Sequence, residues 1–280
     1  MKVTTFSDAE LIEVAQGLPA AGRLLVELGQ LIRNPSTDTR DVTAVLRRDP
    51  ALVSRLIRIA NGSVYARAEP AASLEEAVAC IGFKEVHRLV GALAAAQQSE
   101  VKLSCYATDP ALYRHNALFV ALIMEQLAEL AGEEPRSAYT IGLLRSIGKM
   151  ILDRLATRFV GITEFDPAQG EALHVWEEAC WGTTNTQVAE KILAHWRMPP
   201  ETTLAIRHHC LPAKRHNPMI HLLHLAAGAA DHRSYGLPGE EGYWKFEPES
   251  FTKAGVDPKR FQGAAEAADR AFHRLIKATG

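Results

Sequence analysis

The residues best suited to chemistry are the histidines, which are concentrated toward the C-terminal end of the chain. Six of the eleven histidines lie between His208 and His232. His221, His224 and Asp231 are separated by three and seven residues, so their side chains could face one side of a helix. Such a group could form a new metal or anion site, but no Cys or Glu stands beside it at ligand spacing. We favour the alternative interpretation, polar surface residues and packing of histidines on aromatic rings.

Other patterns that could support chemistry are incomplete. Gly142, Gly148 and Lys149 resemble a phosphate-binding P-loop, but five residues separate the glycines where four are needed. Met150 also stands where a Ser or Thr must bind magnesium. No base at a suitable spacing accompanies the candidate nucleophiles, which are Ser54, Ser63, Ser146, Cys105 and Cys180.

A helix-turn-helix is a minority interpretation of the N-terminal part. Thr39–Arg48 and Ala51–Ala60 would be its two helices, with Arg55 and Arg58 on the second. DNA recognition needs polar residues at the start of that second helix, whereas residues 51–53 are apolar there. This arrangement favours core packing.

Helical periodicity dominates the elements that must position these residues. Pro110–Ala131 is apolar almost all round and should lie at the centre of the fold, while Pro258–Ala278 has one apolar stripe and should pack back on the body. Gly and Pro residues predict a surface loop over Ser234–Gly242. Four Asp-Pro pairs could each begin a helix, because Asp caps free amides and Pro suits the first turn: Asp49-Pro50, Asp109-Pro110, Asp166-Pro167 and Asp257-Pro258.

Composition predicts a folded cytoplasmic protein. The 280 residues are 47% apolar and 23% charged, and the formal charge of −2 argues against general nucleic-acid binding. The four cysteines have no Cys-x-x-Cys pair, which is typical of free thiols in a reducing compartment. The N-terminus lacks the apolar core of a signal peptide. The longest apolar runs fall short of the roughly 20 residues that span a bilayer.

A specific resemblance begins in the first half of the chain. The segments that carry it are Leu18-Pro19, Arg48-Asp49-Pro50-Ala51-Leu52, Arg55-Leu56, Ile59-Ala60-Asn61, Tyr65, Ser73-Leu74-Glu75-Glu76-Ala77-Val78 and Ile81-Gly82. In this order they resemble the N-terminal half of an HDOD domain, a bacterial signalling family related to the HD metal-dependent phosphohydrolases. The resemblance runs from about Leu18 to Asp231. It implies an all-α, HD-domain-like helical fold, in which an N-terminal helical lobe (1–105) packs on a degenerate HD-like helical lobe (106–232). A loop and helical extension (233–280) follows, and the lobes meet at the Pro110–Ala131 helix.

The same resemblance assigns the positions of a degenerate metal site. In HD enzymes the sequence Gly-Leu-Leu-His-Asp-Ile-Gly-Lys supplies an adjacent His and Asp that hold a divalent metal. Here Gly142–Lys149 resembles that sequence, predicting a helix over Tyr139–Asp153, with Arg145 and Ser146 at the two ligand positions. Asn185 stands where a later His is expected, and the positions that keep a candidate ligand are His115, His208, His209 and Asp231.

Arg145 changes the electrostatics of this site. A guanidinium has no lone pair for a metal and stays protonated at physiological pH. About 4 Å from a divalent ion it would cost roughly 8 kcal/mol at an effective dielectric of 20. We therefore expect no hydrolytic metal centre. Arg145 either takes the vacated cation position and pairs with Asp231 near His115, or points to solvent. Replacing Arg145 by His and Ser146 by Asp should restore metal binding if the pocket geometry survives.

The resemblance thus implies a non-catalytic bacterial signal-transduction or regulatory module without a cofactor. It would act through contacts with another polypeptide, such as a receiver or cyclic-di-GMP signalling protein, and not with nucleic acid or a membrane. Two alternatives stay open. One is a receptor for a small anionic ligand or nucleotide in the emptied pocket between His115, Arg145, His208 and Asp231. The other is a divergent metal-dependent phosphohydrolase.

Overall fold

The elements of the fold are helices joined by short turns and loops. The computed structural model describes residues 4–18, 21–65, 70–98, 102–158, 164–212 and 216–279. The first helices are α1 (Asp8–Gln16), α2 (Ala21–Leu31), α3 (Thr39–Leu46), α4 (Pro50–Ala60), α5 (Leu74–Ile81) and α6 (Phe83–Gln98). Then follow α7 (Pro110–Ala131), α8 (Pro135–Leu144), α9 (Ile147–Ala156), α10 (Leu173–Trp181), α11 (Asn185–His195), α12 (Pro200–His208), α13 (Pro218–Ala230), α14 (Pro248–Ala254) and α15 (Pro258–Thr279).

The all-α prediction is confirmed. Within the described ranges, extended pairing is limited to an isolated bridge between Leu103 and Thr108. Pro19, in the opening motif, lies outside these ranges. None of the described helices is long and apolar enough to cross a membrane.

Three of the four Asp-Pro pairs begin α-helices as predicted. Asp49 and Asp109 each accept a hydrogen bond from the amide three residues later, at the starts of α4 and α7. Asp257 likewise caps α15 by accepting from the amides of residues 259 and 260. Asp166 caps only a three-residue 3₁₀ turn.

Helix α7 forms the centre of the molecule, as its apolar composition predicts. Every residue from Asn116 to Ala128 is buried except Gln126. The helix contacts α6, α8, α13 and α15. The buried apolar side chains form a continuous cluster that runs from Leu11 to Leu275.

The terminal helices connect parts of the chain that are far apart in sequence. Helix α1 packs against α9 and α11 of the second lobe, and Asp8 forms an ion pair with Lys191 at 2.6 Å. Helix α15 packs on α7 and α6 and buries Phe272 and Leu275. The predicted return of this last helix to the body is confirmed.

A loop between α13 and α14 crosses the second lobe; we call residues 236–247 the strap. The sequence predicts a surface loop over Ser234–Gly242, and the structure departs from this prediction at Leu237 and Glu240, which are buried. Leu237, Glu240 and Trp244 are buried, while the neighbouring Glu241 and Lys245 are exposed. Burial of the apolar side chains of Leu237 and Trp244 lowers the free energy of the folded state. Glu240 contacts buried cations beneath the strap.

Candidate functional site

Arg145 lies at a break between two helices and not within one. The sequence predicts a single helix over Tyr139–Asp153, but α8 ends at Leu144 and α9 begins at Ile147. Two glycines allow the close packing around this break. A Cβ on Gly142 would lie 2.7 Å from a backbone atom of α7, and one on Gly148 would collide with the backbone oxygen of Asn185.

The guanidinium of Arg145 is buried and has three polar partners. Only 1% of the residue is exposed. Its Nη1 lies 3.0 Å from Oε2 of Glu240, and its Nη2 donates to Oδ1 of Asn116 at 2.7 Å. Nη1 also lies 3.3 Å from Nε2 of His209, and the guanidinium carbon is 5.8 Å from the centre of the Trp244 ring. The alternative that Arg145 points to solvent is wrong.

Lys149, one turn further along α9, is a second buried cation in the same site. Its Nζ lies 2.7 Å from Oε1 of Glu240 and 5.4 Å from the centre of the Tyr106 ring, so it also makes a cation–π contact. Burial alone would raise the pKa of Glu240, but the charges of Arg145 and Lys149 hold that pKa at about 2. The Glu240 carboxylate is therefore ionised and bridges two cations.

His209 takes part in this cluster as a neutral ring. Burial, followed by the nearby charge of Arg145, lowers the pKa of His209 to about 3. Its Nδ1 lies 2.8 Å from the carbonyl oxygen of Ile206, which can only accept, so the proton is on Nδ1. Nε2 is then an acceptor and faces an N–H of Arg145. The ring nitrogen that would bind a metal is thus used by the guanidinium.

A second buried carboxylate lies next to this cluster. Glu177 accepts from the hydroxyl of Tyr106 at 2.7 Å, from the backbone N–H of Asn185 at 3.0 Å and from its side-chain amide at 2.9 Å. Burial raises the pKa of Glu177 to about 7, although these bonds and the charge of Lys149 act in the opposite direction. The charge of this group therefore changes near neutral pH.

His115 lies away from the site. Its ring makes edge-on contacts with Phe272 and Tyr235, at centroid distances of 5.5 and 6.1 Å. The residue of α7 that reaches Arg145 is its neighbour, Asn116. Successive residues of a helix point about 100° apart, so one position decides which side chain faces the site.

The predicted pairing of Arg145 with Asp231 is wrong, because the carboxylate that reaches Arg145 belongs to Glu240. Asp231 lies just beyond the end of α13 and is only partly buried. Its side chain is held close to Gly236, where a Cβ would meet the carboxylate. The distal acid is therefore supplied by the strap, outside the region where the HD pattern places it.

The remaining predicted positions lie partly among the side chains around Arg145 and partly at the edge of that group. Ser146 is buried at the position before α9, without a side-chain capping bond. Asn185 begins α11 and binds Glu177. His208 ends α12 and lines a cavity of about 210 Å³ together with Asn185 and Glu240. Of the seven predicted positions, the structure brings Arg145 and His209 into direct contact.

His221 and His224 are buried on α13, and the contacts of His224 agree with the packing interpretation. Its ring is edge-on to Trp244 at 5.6 Å, its Nδ1 lies 2.9 Å from the carbonyl oxygen of His209, and its Nε2 lies 3.2 Å from that of Lys245. These contacts attach the strap to α12 and α13.

The residues of the site do not fit a divalent metal. Arg145 and Lys149 place two cationic side chains at the centre of the site, His209 is already bonded to Arg145, and His115 faces elsewhere. Across the described ranges, no group of three or more His, Cys, Asp or Glu side chains is placed to hold a metal ion.

Sequence reasoning missed two of the site's main residues. Asn116 stands out as a polar residue on an apolar helix, but the HD pattern directs attention to His115 beside it. Glu240 lies in a segment whose Gly and Pro content indicates a surface loop, and nothing local pairs it with residues about 95 positions earlier.

Comparison with known families now identifies the chain. The family described as HDOD domain matches residues 18–212, which is more than half of its length. The chain belongs to the HDOD family. The HDOD match ends before the strap, so Glu240 lies outside the matched region.

Solved structures share this HDOD fold. A protein of Marinobacter aquaeolei VT8, provisionally named a signal transduction protein, is 25% identical with a TM-score of 0.68, over 94% of this chain and 58% of that one. One from Shewanella amazonensis SB2B, provisionally named a phosphohydrolase, is 23% identical with the same TM-score, over 97% of this chain and 98% of that one.

A relative is also known from its sequence. An uncharacterized protein of Treponema pallidum (strain Nichols) is 22% identical over 78% of this chain. This chain spans 43% of the length of that last relative.

Proposed function

We propose that this HDOD protein is a non-catalytic bacterial signal-transduction module that acts through contacts with other proteins. The observation that carries the proposal is the buried Arg145 guanidinium, which is paired with Glu240 at the position of a metal-binding His. A pocket whose centre is a protein cation has no place for the metal that would activate water. The name of the Marinobacter protein agrees with a signalling role.

The proposed partner is a protein of a receiver or cyclic-di-GMP signalling pathway, and the proposed location is the cytoplasm. All four cysteines are free thiols, including Cys105 and Cys180 in the core, which suits a reducing compartment. Affinity capture from the host, with the whole chain as bait, tests the partner. Recovery of a receiver or cyclic-di-GMP protein would support this assignment, and reproducible capture of other proteins alone would contradict it.

Elemental analysis and turnover assays test the absence of catalysis. Wild-type protein incubated with manganese or nickel and then desalted should retain much less than one metal per chain, and should not hydrolyse nucleotides or cyclic dinucleotides. The variant Arg145→His/Ser146→Asp is the control, because it returns the two HD ligand types. Metal bound to the variant alone would show that Arg145 excludes it. Stoichiometric metal together with turnover in the wild type would overturn the proposal.

A further inference from the structure

The cations of the site exceed the carboxylate that bridges them. Arg145 and Lys149 are both buried and both face Glu240. Glu177, the next carboxylate, interacts electrostatically with Lys149, but burial opposes its ionisation. Among the carboxylates of the described ranges, Glu240 alone is in ion-pair contact with Arg145 or Lys149, so two cationic groups share one contacting carboxylate.

The site also offers more hydrogen-bond donors than Glu240 uses. A guanidinium and an ammonium together carry eight N–H groups, and each Glu240 oxygen contacts one of the two cations. The Nε of Arg145 is buried and has no hydrogen-bond partner among the described residues. Asn116 fixes one edge of the guanidinium by accepting from Nη2. Several donors around one point suit an oxyanion with two to four oxygens.

The carboxylate reaches this point on a segment that is bordered by cavities. Three cavities adjoin the strap, with volumes of about 420, 210 and 260 Å³, and Tyr243 lines all of them. Glu240 itself lines the cavity of about 210 Å³, so the carboxylate that pairs with the two cations borders open space. Glu241 and Gly242, between the buried Glu240 and Trp244, are exposed, and so is Lys245 just beyond Trp244.

We propose that Lys149 and Arg145, whose guanidinium Asn116 holds in place, form a binding site for a small oxyanion, a carboxylate or a phosphate, and that Glu240 occupies it as a tethered substitute. The tether gives Glu240 a high effective concentration, so an external oxyanion binds measurably once this carboxylate is removed. The inference concerns the occupant of the pocket and goes beyond the proposed signalling role, which stands if the site proves purely structural.

The test uses the full chain with Glu240→Ala, and Glu241→Ala as the matched control one residue along the strap. Thermal unfolding is followed at constant ionic strength while sodium chloride is replaced by acetate or by phosphate. We expect Tm of Glu240→Ala to rise saturably, by about 3 °C at an anion concentration ten times Kd. Wild type and Glu241→Ala should show no such rise. Acetate and phosphate, compared with each other, distinguish a carboxylate site from a phosphate site.

A double variant and a refolding assay complete the test. Arg145→Met/Glu240→Ala retains one of the two cations and should lose the anion-specific rise. If Glu240→Ala does not fold in chloride, the yield of folded protein after refolding in each salt replaces Tm. Folding in acetate or phosphate alone supports the proposal. Equal effects of all three salts, or no effect of any, would overturn it and leave Glu240 as a structural ion-pair partner.

Discussion

At the scale of single residues, Arg145 and Glu240 show how a buried charge can be accommodated without a metal. Removing two charges from water costs several kcal/mol per ion, and mutual attraction offsets this only with good geometry and further hydrogen bonds. Asn116 and His209 provide those bonds to Arg145. A buried pair of this kind adds little net stability but strongly disfavours arrangements in which either partner is left alone.

Glu177 makes the pH dependence of stability measurable at one residue. Its pKa is raised by burial from 4.5 to about 7, so the folded state binds its proton more tightly than the unfolded state does. The stabilisation that Glu177 contributes through its tightly bound proton is therefore complete below about pH 4.5 and is lost as pH rises through about 7. Between these limits the free energy of unfolding of wild type should fall relative to Glu177→Gln by on the order of 3 kcal/mol.

Urea unfolding of both proteins at several pH values checks this expectation. Only the difference between them is used, because other buried groups titrate equally in each. A difference that stays constant from pH 4.5 to pH 7 would contradict a raised pKa for Glu177.

At the scale of elements, the local sequence pattern predicts where helices begin. It does not predict which side chains of different helices contact each other. Asp109-Pro110 fixes the start of α7 because capping is a property of four neighbouring residues. The choice between His115 and Asn116 depends on the rotation of α7 against α8, which a periodicity argument leaves open by one position. The break at Arg145 also has a tertiary cause, since α9 packs through Gly148 against the first turn of α11.

Gly148 provides a test of that packing. A methyl group at this position would collide with the backbone of Asn185, which cannot move without shifting α11. Gly148→Ala should therefore lower the free energy of unfolding by about 3 kcal/mol. Gly263→Ala is the matched control, because a Cβ there meets nothing within 4 Å on α15. It should raise stability by roughly 0.5–1 kcal/mol through helix propensity. Chemical denaturation measures both, and equal effects of the two substitutions would refute the packing argument.

At the scale of the whole molecule, the strap is a separate layer over the second lobe. Sequence reasoning predicts it as a loop, and its role cannot be predicted locally because Glu240 and its two cations come together only in the folded chain. Its attachments include the buried side chains of Leu237 and Trp244, the Glu240 ion pairs, the hydrogen bonds between Tyr243 and His174, and the ring contacts of Phe246 with Phe251 and Phe261. Three cavities adjoin the strap and part of its length is exposed, so we expect it to open without unfolding the core.

Trypsin cleavage after the exposed Lys245 measures this local opening. Because opening the strap exposes little surface, the cleavage rate of wild type should depend only weakly on urea, in contrast to the steep dependence of global unfolding. Glu240→Gln removes the charge that pairs the strap with Arg145 and Lys149. We expect this to weaken the closed state by at least about 1.4 kcal/mol, which makes cleavage about tenfold faster or more. Glu241→Gln, whose side chain is exposed, should leave the rate unchanged. If cleavage instead shows the full urea dependence of global unfolding in every variant, the strap opens only with the whole molecule and cannot act as a separate layer.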